Sequence, residues 1–416
     1  MSQAMAEQGP SARPYSDLSV SLPTSATELG GLSRPELQSP LTSRKEAQYF
    51  MHYIQNLSSW VDTNDLDNHF RTEVPRRALH LPLLAYSILA FSSRHLSFCL
   101  KKEDPNCTKY YSSAIQLLIP MLDDPITAHT EDTLAAIVLL RLYEEMTDVD
   151  SATHLSGSSL LLNSISDLAT GGGLGEAASW IVLRQDIYVS LKTSKPLSIQ
   201  LDSYRGSASF TRDDAGSIAN QAVFLCGRAL RYAFRRNAPL DVREWEQLSE
   251  DVERWYESKP RDFRSYYMED PTTMDPTARP PAFPTLWMSR PAYISGYQYY
   301  YLSRIILAIF DPRLWVPNFD AFKRRREAEA AVLRNLRLIV GLAIKHPSVS
   351  NGGFTAHHAL LACGSYLHDA REQFEAIQFL EHIEATTGWP TAKLVSNLRM
   401  QWSSRQKESP LVSHVI

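Results

Sequence analysis

The stretch from Thr130 to Ser194 reads TEDTLAAIVLLRLYEEMTDVDSATHLSGSSLLLNSISDLATGGGLGEAASWIVLRQDIYVSLKTS, and its spacing predicts three consecutive helices. Thr130 can cap the first, with Glu131 and Asp132 in the opening turn, where negative charge meets the positive end of the helix dipole. Leu134, Ile137, Val138, Leu140 and Leu142 make this helix mostly apolar, so burial on several sides is expected. The second helix begins near Ser151 and carries Leu155, Leu160, Leu161 and Ile165. Gly171, Gly172 and Gly173 interrupt the period, as glycines do where a helix stops. The third carries Trp180, Ile181, Leu183, Ile187, Tyr188 and Leu191.

The same helical period continues on both sides. Residues 1–42 are rich in Ser, Pro and Gly without any period and are expected to form a disordered arm. Ser43 and Glu46 form a capping box ahead of an apolar run, so order is expected to begin there. Further helices are predicted over Leu81–Lys101, from Asp104-Pro105 onward, beyond Asp213 or Asp214, and over Asp241–Glu257. The proline-rich connection from Lys259 to Arg290 breaks the rhythm, and Phe263, Tyr266, Tyr267, Phe283 and Trp287 are expected to pack it down. Pro291–Phe310 and a helix from about Asp320 to Lys345 follow, then helical segments to Trp402. No useful β-alternation or repeat period is present. The expectation is an all-α fold: one large multi-helix domain over 43–405, the N-terminal arm, and a flexible tail over 406–416.

Composition bounds the function. The 416 residues are 44% hydrophobic and 21% charged, with net charge -4 and pI near 6.3. That balance suits a soluble helical protein and is poor for holding nucleic acid over a broad surface, which needs a basic field. Cys99, Cys107, Cys226 and Cys363 are far apart, so neither a zinc ribbon nor a disulfide framework is indicated, and reduced thiols in cytoplasm or nucleus fit best. The most apolar run, Leu81–Phe91, is too short to span a bilayer, and no signal peptide is visible.

Several stretches invite chemistry, and each has a plainer reading. Trp60–Asp67 has acidic spacing like a calcium loop but lacks the glycine and the closing glutamate, so a turn with Asx caps is preferred. Gly171–Gly175 imitates a dinucleotide loop but follows a helix, not a strand. Asp123-Asp124 lacks the third carboxylate of a terpene-synthase metal motif. Glu144 and Glu145 are adjacent and point about 100° apart, so they cannot flank one substrate; one is expected to bond Arg141 or His154 and the other to face solvent. His357, His358, Cys363 and His368 lack the i, i+4 histidine spacing of helical metal ligands. Tyr293, Tyr297, Tyr300 and Tyr301 form a stripe that either lines an effector pocket or packs as core, with core the stronger reading. Lys323, Arg324, Arg325 and Arg326 form either a nuclear-import patch or a solvated helix face, with the solvated face the stronger reading, although four cations opposing the dipole at a helix start weigh toward function. No catalytic, metal or DNA-binding residue and no cofactor is assigned.

Four short motifs occur in order: Leu-Arg-x-Tyr-Glu-Glu at Leu140–Glu145 (with Tyr143, Glu144 and Glu145), His-Leu-x-Gly at His154–Gly157, Ala-Ser-Trp ending at Trp180, and Leu-Arg-Gln-Asp-Ile at Leu183–Ile187 (with Arg184). Together they resemble the helical regulatory domain of fungal-specific transcription factors, which accompanies zinc binuclear-cluster DNA-binding domains. The resemblance covers roughly residues 45–405. It implies a nuclear transcription regulator without enzymatic activity, controlling a metabolic or secondary-metabolite pathway. It also implies partners: a DNA-binding transcription factor or co-regulator, a small-molecule effector, and a homo- or heterodimer, with no membrane. The six-cysteine zinc cluster of that family is missing from this sequence, so indirect action through a DNA-bound partner is expected. The alternatives are a helical interaction scaffold outside the nucleus and, third, a metal-dependent terpene-synthase-type enzyme.

Overall fold

The structure, a computed structural model, describes residues 41–147, 166–236, 239–269, 281–317 and 319–408. The N-terminal arm and the second helix of the central triplet, with His154 and Gly157, lie outside the described residues.

Helix formation follows local chemistry. In α1 (Arg44–His52) the capping box is complete: Glu46 N–H donates to Ser43 Oγ at 3.2 Å, and Ser43 N–H donates to Glu46 Oε2 at 2.9 Å. Such a cap contributes about 1 kcal/mol. A wide turn over Tyr53–Leu57 carries the chain on to Ser58–Val61, and α2 (His69–Ala78) follows. Next come α3 (Pro82–Cys99), α4 (Asn106–Asp123) and α5 (Glu131–Met146). Asp104, the expected cap, accepts from Asn106 N–H at 3.1 Å, and the helix begins at Asn106, one residue later than expected. Thr130 caps α5 by accepting from Thr133 N–H at 3.2 Å.

After the short helix Ser166–Thr170 the chain turns through Gly172 (φ +77°) and Gly173 (φ +62°) into α6 (Gly173–Thr193). Those two angles are left-handed, which glycine adopts without a Cβ clash, and they make Gly171–Gly175 a helix-to-helix connection. Then follow α7 (Ala215–Ala233), α8 (Val242–Ser258), α9 (Pro291–Ile309), α10 (Ala321–Lys345), α11 (Ser350–Cys363), α12 (Ala370–Thr387) and α13 (Ala392–Glu408). The last helix runs three residues into the stretch expected to be tail.

The packing is helix on helix. α3 lies against α4 and α5, and α6 sits between α5 on one side and α7 and α11 on the other. α7, α9 and α10 pack in succession, α11 covers α9 and α10, and α12 returns to α3. One apolar core runs from Phe50 to Trp402. Every residue from Thr133 to Tyr143 in α5 and from Ala178 to Ile187 in α6 is buried. Tryptophans tie elements together as well as filling space: Trp245, Trp255 and Trp402 donate their indole N–H to the carbonyls of Leu307, Ile218 and Gly364 at 2.9 to 3.0 Å.

The proline-rich connection departs from expectation. It holds a short antiparallel ladder, β1 (Tyr267–Met268) with β2 (Leu286–Trp287), pairing Tyr267 with Trp287 and Met268 with Leu286. Phe263 and Phe283 are buried, but Tyr266, Tyr267 and Trp287 are 77%, 50% and 54% exposed. Side chains alternate across a strand, so a two-residue ladder buries Leu286 and must turn Trp287 outward.

Gly216 fixes how α7 approaches the turn before α2. A Cβ there would stand 2.1 Å from the Asn64 carbonyl oxygen, whereas one on Gly353 would meet nothing closer than Ile383 at 3.4 Å. Gly216→Ala is therefore expected to lower stability by about 1–3 kcal/mol or more. Gly353→Ala is expected to be neutral or stabilising by up to about 1 kcal/mol, as for alanine over glycine in a helix. Denaturant midpoints of the two variants check this; equal effects would contradict it.

Candidate functional site

On α6 the residues Glu176, Trp180, Arg184 and Tyr188 recur at i, i+4 spacing, which places them on one stripe of the helix. That stripe borders two cavities. Glu176, Trp180 and Arg184 line an open cleft of about 340 Å³. Arg184 and Tyr188 line an inner cavity of about 50 Å³, room for one or two waters. Arg184 and Val61 border both, so the Arg184 side chain stands between them.

The cleft faces the turn between Ser58–Val61 and α2. Asp62 caps α2 by accepting from Phe70 and Arg71 N–H, each at 2.9 Å. Asp65 accepts from Asp67 N–H at 3.1 Å and from His69 N–H at 2.7 Å. These are Asx-type caps, and they occupy the carboxylates that a calcium loop would need. Ligand-type atoms of Asp65, Asp67 and His69 nevertheless lie within 4.8 Å of one another at the cleft. The third wall is the start of α7 and the loop before it, including Ser209, Arg212 and Asp214.

The polar groups of α6 differ in how well they are met. Glu176 Oε1 accepts from Ser207 Oγ at 2.6 Å, and Asp186 Oδ2 accepts from Ser198 and Ile199 N–H at 2.8 and 3.0 Å. Gln185 Nε2 donates to the Val138 carbonyl at 3.3 Å. Arg184, only 7% exposed, donates from Nη2 to the Val61 carbonyl at 3.0 Å, its sole hydrogen bond among the described residues. No described carboxylate pairs with it; burial lowers its pKa, and its nearest charged neighbours are Asp62 and Asp65. Burial has pushed the Asp62 carboxyl up to about 7, which weakens the countercharge it offers.

Around the inner cavity, Glu145 Oε1, Gln185 Oε1, Asn351 Oδ1 and His358 Nε2 are buried without partners among the described residues. Burial raises the Glu145 carboxyl to about 7, opposed by Arg141 and reinforced by Glu144. Burial also depresses His358, which stacks on Tyr188 with ring centroids 3.8 Å apart.

The residues singled out from the sequence separate. Trp180, Arg184 and Glu145 come together at the two cavities. Glu144 instead accepts from Tyr111 Oη at 2.5 Å, and Tyr143 stacks on Tyr111. The expectation that one of the two glutamates faces solvent and the other bonds Arg141 or His154 is corrected: both are half-buried, Glu144 held by Tyr111 and Glu145 lining the inner cavity, with no ion pair to Arg141 among the described residues. Tyr293, Tyr297, Tyr300 and Tyr301 are all buried, packed with Trp255, Tyr256 and Phe263. It is Tyr299, between them, that reaches the inner cavity. His357 and His358 are adjacent and interior, whereas His368 pairs with Glu329 at 3.2 Å, so with Cys363 they form no common centre. Asp124 caps the next turn through Ile126 N–H at 3.1 Å. Lys323, Arg325 and Arg326 are exposed and Arg324 half-buried, on a helix start whose first buried residue is Val332. Phe319 and Phe322 are exposed beside them. The i, i+4 repeat of Glu176, Trp180, Arg184 and Tyr188 was the signal available in the sequence, hidden because α6 has apolar residues on every face.

A buried carboxyl with a raised pKa supports the fold while protonated. Glu145 therefore stabilises fully below its unfolded value near 4.5, and that contribution is lost as pH rises through about 7. Asp62 acts in the same direction, and Arg141, Glu144 and Lys192 are the charges that bear on Glu145. Glu145→Gln is expected to flatten the fall in stability between pH 5 and 8 by on the order of 1–3 kcal/mol. Chemical denaturation across that range checks this; an unchanged slope would contradict it.

No solved structure matches the chain. Over 176 residues, 40% of this chain, it is 27% identical to the Transcription activator AMTR1 of Alternaria alternata. That segment covers 22% of the relative. No described helix is long and apolar enough to cross a membrane. The model of the fungal specific transcription factor domain matches residues 48–260, about half of the 416 residues and a span that includes α6 and both walls of the cleft. The chain belongs to the fungal-specific transcription factor domain family.

Proposed function

We propose that this chain is a nuclear transcription regulator whose helices form a regulatory domain rather than an enzyme. The carrying observation is the cleft beside Trp180 and Arg184: motif residues of the family place an unpaired cation at a concave site inside the matched span. A pocket with a few convergent polar groups is suited to a small effector. The hydroxyls on its walls serve local caps and carboxylates, Ser217 Oγ donating to Asp214 Oδ2 at 2.7 Å and Ser209 Oγ to Glu176 Oε1 at 3.4 Å, which supports sensing over turnover. The 416 residues contain four scattered cysteines, so DNA contact is supplied from outside them, by a DNA-binding partner or co-regulator. The exposed Lys323–Arg326 segment, on a helix start that projects beyond the core, serves as the nuclear-import patch. The similarity to a transcription activator supports regulation of transcription; control of a metabolic or secondary-metabolite pathway, in a homo- or heterodimeric assembly, is proposed on the family resemblance alone.

Fusing the full chain to a heterologous DNA-binding module that lacks an import signal tests this. Reporter output is expected to change several-fold relative to the module alone. Replacing Lys323–Arg326 with alanines is expected to return output to baseline and to lose nuclear fluorescence of a tagged fusion. A silent fusion found in the nucleus would contradict regulation; unchanged localisation of the alanine variant would contradict the import patch.

A further inference from the structure

The cleft beside Arg184 has an uneven distribution of charge that narrows what it can hold. Its floor carries the Arg184 guanidinium, nine-tenths buried and without a carboxylate among the described residues. A buried cation left unpaired is costly, and a bound anion relieves that cost without any change in the helices. The walls add one unmet donor and one unmet acceptor: Trp180 Nε1 and Asn64 Oδ1 have no partners among the described residues, in side chains of residues only 3% and 6% exposed. The mouth is mostly of opposite sign. Asp65 and Asp214 are half-buried there, and Asp67 is exposed with no hydrogen bond to its carboxylate among the described residues. Arg212 and His69 interrupt this rim but do not reverse it.

We propose that the cleft binds a small amino carboxylate, its carboxylate on Arg184 and its ammonium against Asp67 rather than Asp65, whose Oδ2 already meets His69 Nδ1 at 2.9 Å. Both ends are then paired by charge-assisted hydrogen bonds, the stronger class of such contacts. A volume of about 340 Å³ lies at the small end of ligand sites, which suits a free amino acid and excludes a large polycyclic product. A dianion such as a phosphate ester would meet Asp65, Asp67 and Asp214 on its way in, and a simple amine would leave Arg184 unpaired. The polar floor likewise disfavours an apolar ligand. This inference rests on the reading of the cleft as an effector site. Binding to the purified chain can fail while the reporter fusion still works, so the two readings fail separately.

The test uses the purified full chain at neutral pH and the common L-amino acids one at a time. Each is matched with its 2-hydroxy acid and its decarboxylated amine. Thermal shift is followed by calorimetric titration. At least one amino acid is expected to raise Tm by ~2 °C or more at saturating concentration. Its hydroxy acid and amine are expected to bind at least about tenfold more weakly. Arg184→Gln is expected to abolish binding. Asp67→Asn, an exposed change that leaves the core intact, is expected to weaken the amino acid about tenfold while leaving the hydroxy acid unaffected. If Arg184→Gln does not fold, the Asp67→Asn comparison decides alone. The proposal is overturned if no amino acid shifts Tm, if the hydroxy acid binds as tightly as its amino acid, or if Asp67→Asn leaves the affinity unchanged.

Discussion

The enclosure of α6 is the constraint on which the rest of this structure depends. A helix touching protein on every side has no solvent-facing stripe, so each polar residue on it must be met inside. Between Ala178 and Ile187 nothing is exposed, yet the sequence places Arg184, Gln185 and Asp186 in succession there. Consecutive helical residues point about 100° apart, so these three side chains reach three different neighbours. Asp186 takes the backbone N–H groups of Ser198 and Ile199, Gln185 takes the Val138 carbonyl in α5, and Arg184 takes the Val61 carbonyl. The Asp186 and Gln185 contacts pin their neighbours to α6, which sets the register of the loop after it and of α5; Arg184 meets the turn before α2 through a single bond.

The contacts are unequal in completeness. A carboxylate accepting two backbone N–H groups is well met, whereas a guanidinium with five N–H groups and one carbonyl partner is not. The same holds on α5, where Glu145 Oε1 and Arg141 Nε and Nη2 are buried without partners among the described residues. Unmet buried atoms on Asn64, Trp180, Glu145, Gln185, Asn351 and His358 line the two adjoining cavities, while others, on Ser92, Arg94, Arg141, Ser249, Ser295, Gln298 and His357, lie elsewhere among the described residues; what sets the cavities apart is that several such groups face one space.

Much of the architecture could be read from the sequence, and the failures have physical causes. The capping box at Ser43 and Glu46, the Thr130 cap and the Gly172–Gly173 break are local, fixed by a few residues, and appear as expected. The exposed Trp287 was misread because aromatic content alone does not say which face of a strand a side chain takes. The site was only half legible. Trp180 and Arg184 stood out as motif members, but their meeting with Asn64, Asp65 and Asp67 depends on Gly216 letting α7 close against the Asn64 carbonyl, a contact between segments about 150 residues apart. One of Glu144 and Glu145 was expected to face solvent because pattern cannot distinguish a helix with one polar face from a helix enclosed by neighbours.

The central claim is that Arg184 is retained for what it binds and not for holding the helices together. Unfolding free energy of Arg184→Met, which keeps the bulk of the stem and removes the charge, tests this most directly. Replacing a poorly paired buried charge with an apolar side chain is commonly neutral or stabilising. The account predicts a variant within about 1 kcal/mol of the parent, or more stable, with the Val61 carbonyl as its one lost partner. A loss on the order of 3–5 kcal/mol would instead make Arg184 a structural pin, and the cleft would then owe its charge to folding alone.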